Sequence, residues 1–149
     1  MNQGNTYVYF ALKGDDFNPQ LITDRLRITP TQSWRKGDAG SAKPYRDFSY
    51  WEISTEKGIE YLLIENVVNQ IVDMLFDYIE TINTLKEEYN LISVLEIVLY
   101  VDINQLQSTP ALGHDLRTIE FLYRTQTTID VDIYRFNSLE TCNSVSSSG

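Results

Sequence analysis

The segment "TYVYFALKG", residues 6–14, alternates between two sides of an extended chain. Val8, Phe10 and Leu12 fall on one side, Tyr7 and Tyr9 on the other, which predicts a strand. "DDFNPQLITDRLRI" follows, and Asn18 before Pro19 marks a helix start. Asn can cap the orphan N–H groups, and Pro at the first helical position forfeits no hydrogen bond. Leu21, Ile22 and Leu26 are then expected on the buried face, with Pro30 as the stop. "TQSWRK" and "FSYWEIST" read as short strands around a loop over residues 37–47, too long for a tight hairpin turn.

Residues 65–89 carry the clearest helical period in the chain. Val67, Val68, Ile71, Val72, Leu75, Ile79, Ile82 and Leu85 recur on one face, while Asn69, Asp73, Asp77, Glu80, Asn83 and Glu87 take much of the rest. One continuous helix of that length would span roughly 37 Å, enough to cross a sheet. "LISVLEIVLYVDI" predicts a long strand with Leu95, Ile97, Leu99 and Val101 opposed to Glu96, Val98 and Tyr100. The loop "NQLQSTPALGH" leads to a short helix containing Leu116, Ile119, Phe121 and Leu122. The final strand, "TTIDVDIYRF", alternates most strictly, with Ile129, Val131 and Ile133 against Asp130, Asp132 and Tyr134.

The order β-α-β-β-α-β followed by α-β predicts an α+β fold with a ferredoxin-like core. Its sheet is expected to be mainly antiparallel, with helices on one face. Residues 1–136 form the single expected domain, and the Ser-rich segment 137–149 an expected disordered tail. If the aliphatic phase of each strand, together with Trp51 and Ile53, faces the helices, the opposite phase lies open. That phase comprises Tyr7, Tyr9, Tyr50, Glu52, Glu96, Val98, Tyr100, Asp130, Asp132 and Tyr134.

Composition sharpens this picture. The chain has ten tyrosines and a net charge of −9. Tyrosine suits half-buried surfaces and interfaces, because a broad ring carries a polar tip. Aromatic sheets on such folds can stack single-stranded RNA, but Glu52, Glu96, Asp130 and Asp132 would lie under the phosphates. Nucleic acid is therefore not the expected partner. A basic protein is: Tyr9, Tyr50, Tyr100 and Tyr134 would be anchors, and Glu52, Asp130 and Asp132 would set charge selectivity.

Candidate chemistry is sparse. His114 is the sole histidine and lacks an evident nucleophile, and its neighbour Asp115 is too close in sequence to orient it well. Asp15, Asp16, Asp102, Asp130 and Asp132 could offer oxygen ligands, but no EF-hand spacing organises them, so no metal is expected. "GDDFNP" and "RKGDAG" lack phosphate-loop spacing. No catalytic residue and no cofactor is expected. Cys142 has no partner for an intrachain disulfide, and no leader or run of about 18 apolar residues is evident, which predicts a cytoplasmic protein without a membrane segment.

One stretch runs against the acidic background. Arg35, Lys36, Lys43 and Arg46 crowd a loop faced by Asp38 and bracketed by Trp34 and Trp51. Trp51, mid-strand, is expected in the core, and Trp34 at the sheet edge with Arg35 or Lys36 reaching a carboxylate such as Asp38. The alternative is a small-ligand-binding or regulatory domain that uses the basic loop 35–46, with Trp34, Arg35, Lys36, Lys43 and Arg46 holding an anionic ligand.

The segments "YVYFALKGDDFNPQLITDRLRITPTQSWRKGD", "SYWEIST" and "IEFLYRTQTTIDVDIY", with the amphipathic helix between them, resemble the bacterial domain-of-unknown-function family numbered 4279. The resemblance covers roughly residues 6–135, and its most specific parts are Gly-Asp-Asp-Phe-x-Pro, Thr-Pro-Thr-x-x-Trp-Arg-Lys-Gly-Asp and Ser-Tyr-Trp-Glu. It implies a compact α+β domain with no established catalytic residues. Some relatives look like immunity proteins encoded beside secreted toxins. The expected function is accordingly a non-enzymatic immunity protein that masks a basic toxin domain.

Overall fold

The computed structural model describes residues 5–57 and 63–139. Five strands form one sheet: β1 (Tyr7–Gly14), β2 (Gln32–Trp34), β3 (Ser49–Ser54), β4 (Ile92–Asp102) and β5 (Thr128–Phe136). They lie in the order β2-β3-β1-β4-β5. The pairs β2–β3, β3–β1 and β1–β4 are antiparallel, and β4–β5 is parallel. Among the described residues they are accompanied by the α-helices α1 (Pro19–Leu26), α2 (Ile64–Leu75), α3 (Ile79–Tyr89) and α4 (Leu116–Thr125). The fold is mixed α+β with a mostly antiparallel sheet, as expected.

α1 begins as the sequence predicts. The Asn18 side chain accepts a hydrogen bond from the Gln20 N–H at 3.1 Å, and Pro19 is the first helical residue. The helix stops before Pro30, however. Arg27 takes a left-handed conformation (φ 56°) and its N–H reaches back to the Thr23 carbonyl at 2.7 Å, closing the helix at Leu26. Leu21, expected on the buried face, is exposed, whereas Ile22 and Leu26 are buried.

The single helix expected over residues 65–89 is two helices. A 3₁₀ turn at Phe76–Tyr78 separates α2 from α3. Both halves keep their apolar residues on the core, and Phe76 and Tyr78 pack against that core at the break. On either side of the turn the neighbours differ: α2 contacts β1 and α4, and α3 contacts α1 and α4.

Every strand residue in the core cluster belongs to the predicted inward phase. Val8, Phe10, Leu12, Trp51, Ile53, Leu95, Ile97 and Leu99 are buried together with the apolar faces of α1, α2 and α3. α4 adds Phe121, whose ring meets Phe10 edge-on at 5.9 Å. Trp51 is fully buried, and its indole N–H donates to Thr23 Oγ1 at 3.0 Å, fastening α1 onto β3. β5 keeps the predicted phase but completes the core poorly. Val131 packs against it, while Ile129 and Ile133 remain 39% and 60% exposed, since β5 is the last strand of the sheet.

The chain beyond β5 is tied down at its start. Asp102 accepts the Ser138 N–H at 3.2 Å, and the Asn104 amide donates to Ser138 Oγ at 3.1 Å. The remainder of the expected disordered tail, including Cys142, lies outside the described residues. Among the described residues, no helix is long and apolar enough to cross a membrane.

Candidate functional site

Strand register arranges the face opposite the helices in rows. Tyr9 stands beside Glu96, and Glu96 beside Asp130. The next rows place Tyr7, Val98 and Asp132 side by side, and then Tyr100 against Tyr134. Tyr100 and Tyr134 stack with ring centroids 5.0 Å apart, and Tyr7 and Tyr9 stack at 6.1 Å. Tyr134 is half exposed, whereas Tyr7, Tyr9 and Tyr100 are partly covered. Lys57 sits over the Tyr7 ring at 4.3 Å, so these rings can already face a cation.

Glu96, Asp130 and Asp132 bring one carboxylate oxygen each to within 4.8 Å of one another. Glu96 is buried, while both aspartates are exposed. Burial, then the neighbouring Asp132 and Asp130, push the Glu96 carboxyl up to about 7. Tyr9, half-buried and next to Glu96, is pushed up to about 12 for the same two reasons, burial first. Asp130 also accepts the Val131 N–H at 3.0 Å. Three acids at this spacing suit a cation: they are the group among the described residues that could hold a metal ion, and equally a guanidinium or ammonium. A cleft of about 430 Å³ opens beside them, lined in part by Tyr9, Lys13, Val94, Glu96 and Asp130.

Two residues expected to contact a partner are instead covered by the protein itself. Tyr50 and Glu52 are only 5% and 6% exposed. The Tyr50 hydroxyl donates to Glu52 Oε1 at 2.6 Å, and the Gln32 amide donates to the same oxygen at 3.1 Å. Trp34 covers Tyr50 in parallel stacking at 4.3 Å. Burial, followed by the Glu52 hydrogen bond, raises the Tyr50 hydroxyl pKa. Tyr50 and Glu52 are therefore not accessible parts of this face. Glu96, not singled out as a contact from sequence, takes the central place. Its alternation phase pointed to this face, but its meeting with Asp130 and Asp132 depends on the parallel β4–β5 register.

The basic loop is laced to nearby acids and rings. Arg35 pairs with Asp16 at 3.2 Å and Lys36 with Asp15 at 3.1 Å, while Lys43 pairs with Asp47. Asp38 instead accepts the Arg35 backbone N–H at 2.8 Å. The Arg46 guanidinium lies over Trp34 at 4.0 Å, and Phe48 meets Trp34 edge-on. The loop folds back on itself through the Ala39–Tyr45 bridge. Gly37 adopts φ +95°, and a Cβ on Gly40 would lie 2.5 Å from the Lys43 carbonyl oxygen, so glycine is needed at both.

His114 is half-buried, and its Nδ1 is buried without a hydrogen-bond partner. Asp115 does not orient it. That carboxylate caps α4, accepting the Thr118 N–H at 2.8 Å.

The model of a domain of unknown function, DUF4279, matches residues 4–136. The chain belongs to the DUF4279 family. The match takes in β1 to β5 and α1 to α4, and so the whole face described above. No curated protein and no solved structure matches the chain.

Proposed function

We propose that this DUF4279 protein is a non-enzymatic interaction module that binds a basic protein partner through the exposed part of its tyrosine–carboxylate face. In its most concrete form it is a cytoplasmic immunity protein that neutralises a cognate secreted toxin. The observation carrying this reading is the convergence of Glu96, Asp130 and Asp132 beside the stacked Tyr100 and Tyr134. Rigid rings supply contact area at low entropic cost, and clustered acids favour a cationic partner while repelling acidic ones. We also read the first four strands as ferredoxin-like. Their order β2-β3-β1-β4 with every pair antiparallel is what a split βαβ arrangement requires.

The test is co-purification from the native cell with the wild type and with an Asp130→Lys/Asp132→Lys double variant. A basic protein retained by the wild type and lost by the variant supports the proposal. Retention of the same partner by both sinks it.

A second reading has one observation behind it. Trp34 Nε1 and Arg46 Nε are buried donors without a partner, so a small anion at the 35–46 loop would give them acceptors. A thermal-shift screen against anionic metabolites checks it. A ligand at about 100-fold its dissociation constant adds about 2.7 kcal/mol of stability.

A further inference from the structure

β5 is the outer strand of the sheet on the side that carries Asp130 and Asp132. An edge strand presents backbone N–H and C=O groups that can pair with another chain. The Phe136 carbonyl accepts the Ile103 N–H beyond the end of β4, so the even-numbered residues of β5 turn their polar backbone groups inward. Ile129, Val131, Ile133 and Arg135 therefore turn theirs outward. Asp130 satisfies the Val131 N–H with its own side chain, which leaves the stretch around Ile133 as the open end of this edge.

The two sides of that edge differ in chemistry. Asp130 and Asp132 lie on one, next to buried Glu96. On the other, Ile129 and Ile133 are 39% and 60% exposed, and α4 adds Ile119 at 50% and Tyr123 at 76%. A shallow groove of about 370 Å³ lies between α4 and the start of β5, lined by Ile119, Leu122, Tyr123, Gln126, Thr127 and Thr128.

We infer that the edge of β5 accepts an added strand from the partner, a segment in which cationic and apolar residues alternate. This rests on the cation-selective face proposed above and adds the backbone geometry by which a partner would reach it. Side chains of a strand alternate between faces, so every second residue of the incoming segment would stand beside Asp130 and Asp132. The intervening residues would cover Ile129, Ile133 and the exposed rim of α4. A second copy of this chain fits less well, since it would bring another Asp130 and Asp132 onto the same narrow strip of a molecule already carrying −9.

The probe is a ten-residue peptide of alternating Lys and Val, compared by calorimetry with an isomer in which the lysines and valines are grouped in two blocks. The alternating peptide is expected to bind about tenfold more tightly or better. N-methylation of its alternate amides along one edge should remove that advantage, with no change to the protein. Ile133→Pro should do the same, checked against its circular dichroism. Equal affinity of the two isomers, failure of both to bind, or no effect of N-methylation overturns the added strand. If both isomers bind equally and Asp132→Asn weakens both, the cation-selective face survives while strand addition does not. A concentration-dependent dimer abolished by Ile133→Pro would instead assign the edge to a second copy and overturn the inference.

Discussion

Glu96 of β4 and Asp130 of β5 stand opposite one another in a parallel strand pair, acid against acid, with Asp132 within reach of both. Like charges placed directly across a sheet destabilise it. Burial first, and then the neighbouring Asp132 and Asp130, raise the Glu96 carboxyl to about 7 from an ordinary value of 4.5, so the acids are not all charged together. The folded state thus holds a proton that the unfolded chain releases, and stability must fall as pH rises from about 4.5 to about 7. At about 1.4 kcal/mol per pH unit the expected loss is at most about 3 kcal/mol, less the solvent screening of the two exposed aspartates. Glu96→Gln should flatten this segment of the profile and make the protein more stable than wild type at pH 8. Denaturant unfolding at pH 5 and pH 8 checks it, and a parallel slope in wild type and variant would refute it.

Thr23 is the acceptor for the buried Trp51 indole. Thr23→Val keeps the shape and removes the acceptor, so the indole N–H is left unsatisfied at a cost of about 1–3 kcal/mol. Trp51→Ala, which also opens a cavity under α1, should cost about 3–5 kcal/mol. Urea melts at fixed pH give both values.

Lys86 works as a clamp between α3, β4 and the end of α4. Its ammonium donates to Ser93 Oγ at 2.7 Å and to the Thr125 and Gln126 carbonyls at 2.5 and 3.1 Å. Burial lowers its pKa. Lys86→Met keeps the aliphatic stem and strands those carbonyls at a helix terminus, where a charged donor is worth about 1.5–3 kcal/mol. Hydrogen exchange should speed up first at the C-terminus of α4 and the start of β5.

The phase of each strand was legible because alternation has a period of two and the core demands one side of it. That reasoning placed Val8, Phe10, Leu12, Trp51, Leu95, Ile97 and Leu99 correctly. It overstated β5: Ile129 and Ile133 take the inward phase but lack helix cover, because alternation does not reveal which strand ends up at the edge. The break at Phe76–Tyr78 was invisible, since it holds neither Pro nor Gly and the apolar period runs through it. Tyr50 and Glu52 were misjudged as accessible for a related reason. Their burial depends on Gln32 and Trp34 of β2 being in register, a non-local fact. Likewise the acid cluster needs β5 beside β4 and parallel to it, which the intervening α4 permits but no local pattern dictates.

The claim that the acids of this face select a cationic partner is tested most directly by association kinetics at varied ionic strength. With the co-purified partner in hand, the wild-type rate constant should fall steeply between about 0.01 and 0.15 M salt, as the screening length shrinks from roughly 30 to 8 Å. The Asp130→Lys/Asp132→Lys variant should bind more slowly and show a shallower fall, since the rest of the molecule stays acidic. A wild-type rate indifferent to salt, or identical curves for the two proteins, would contradict the account.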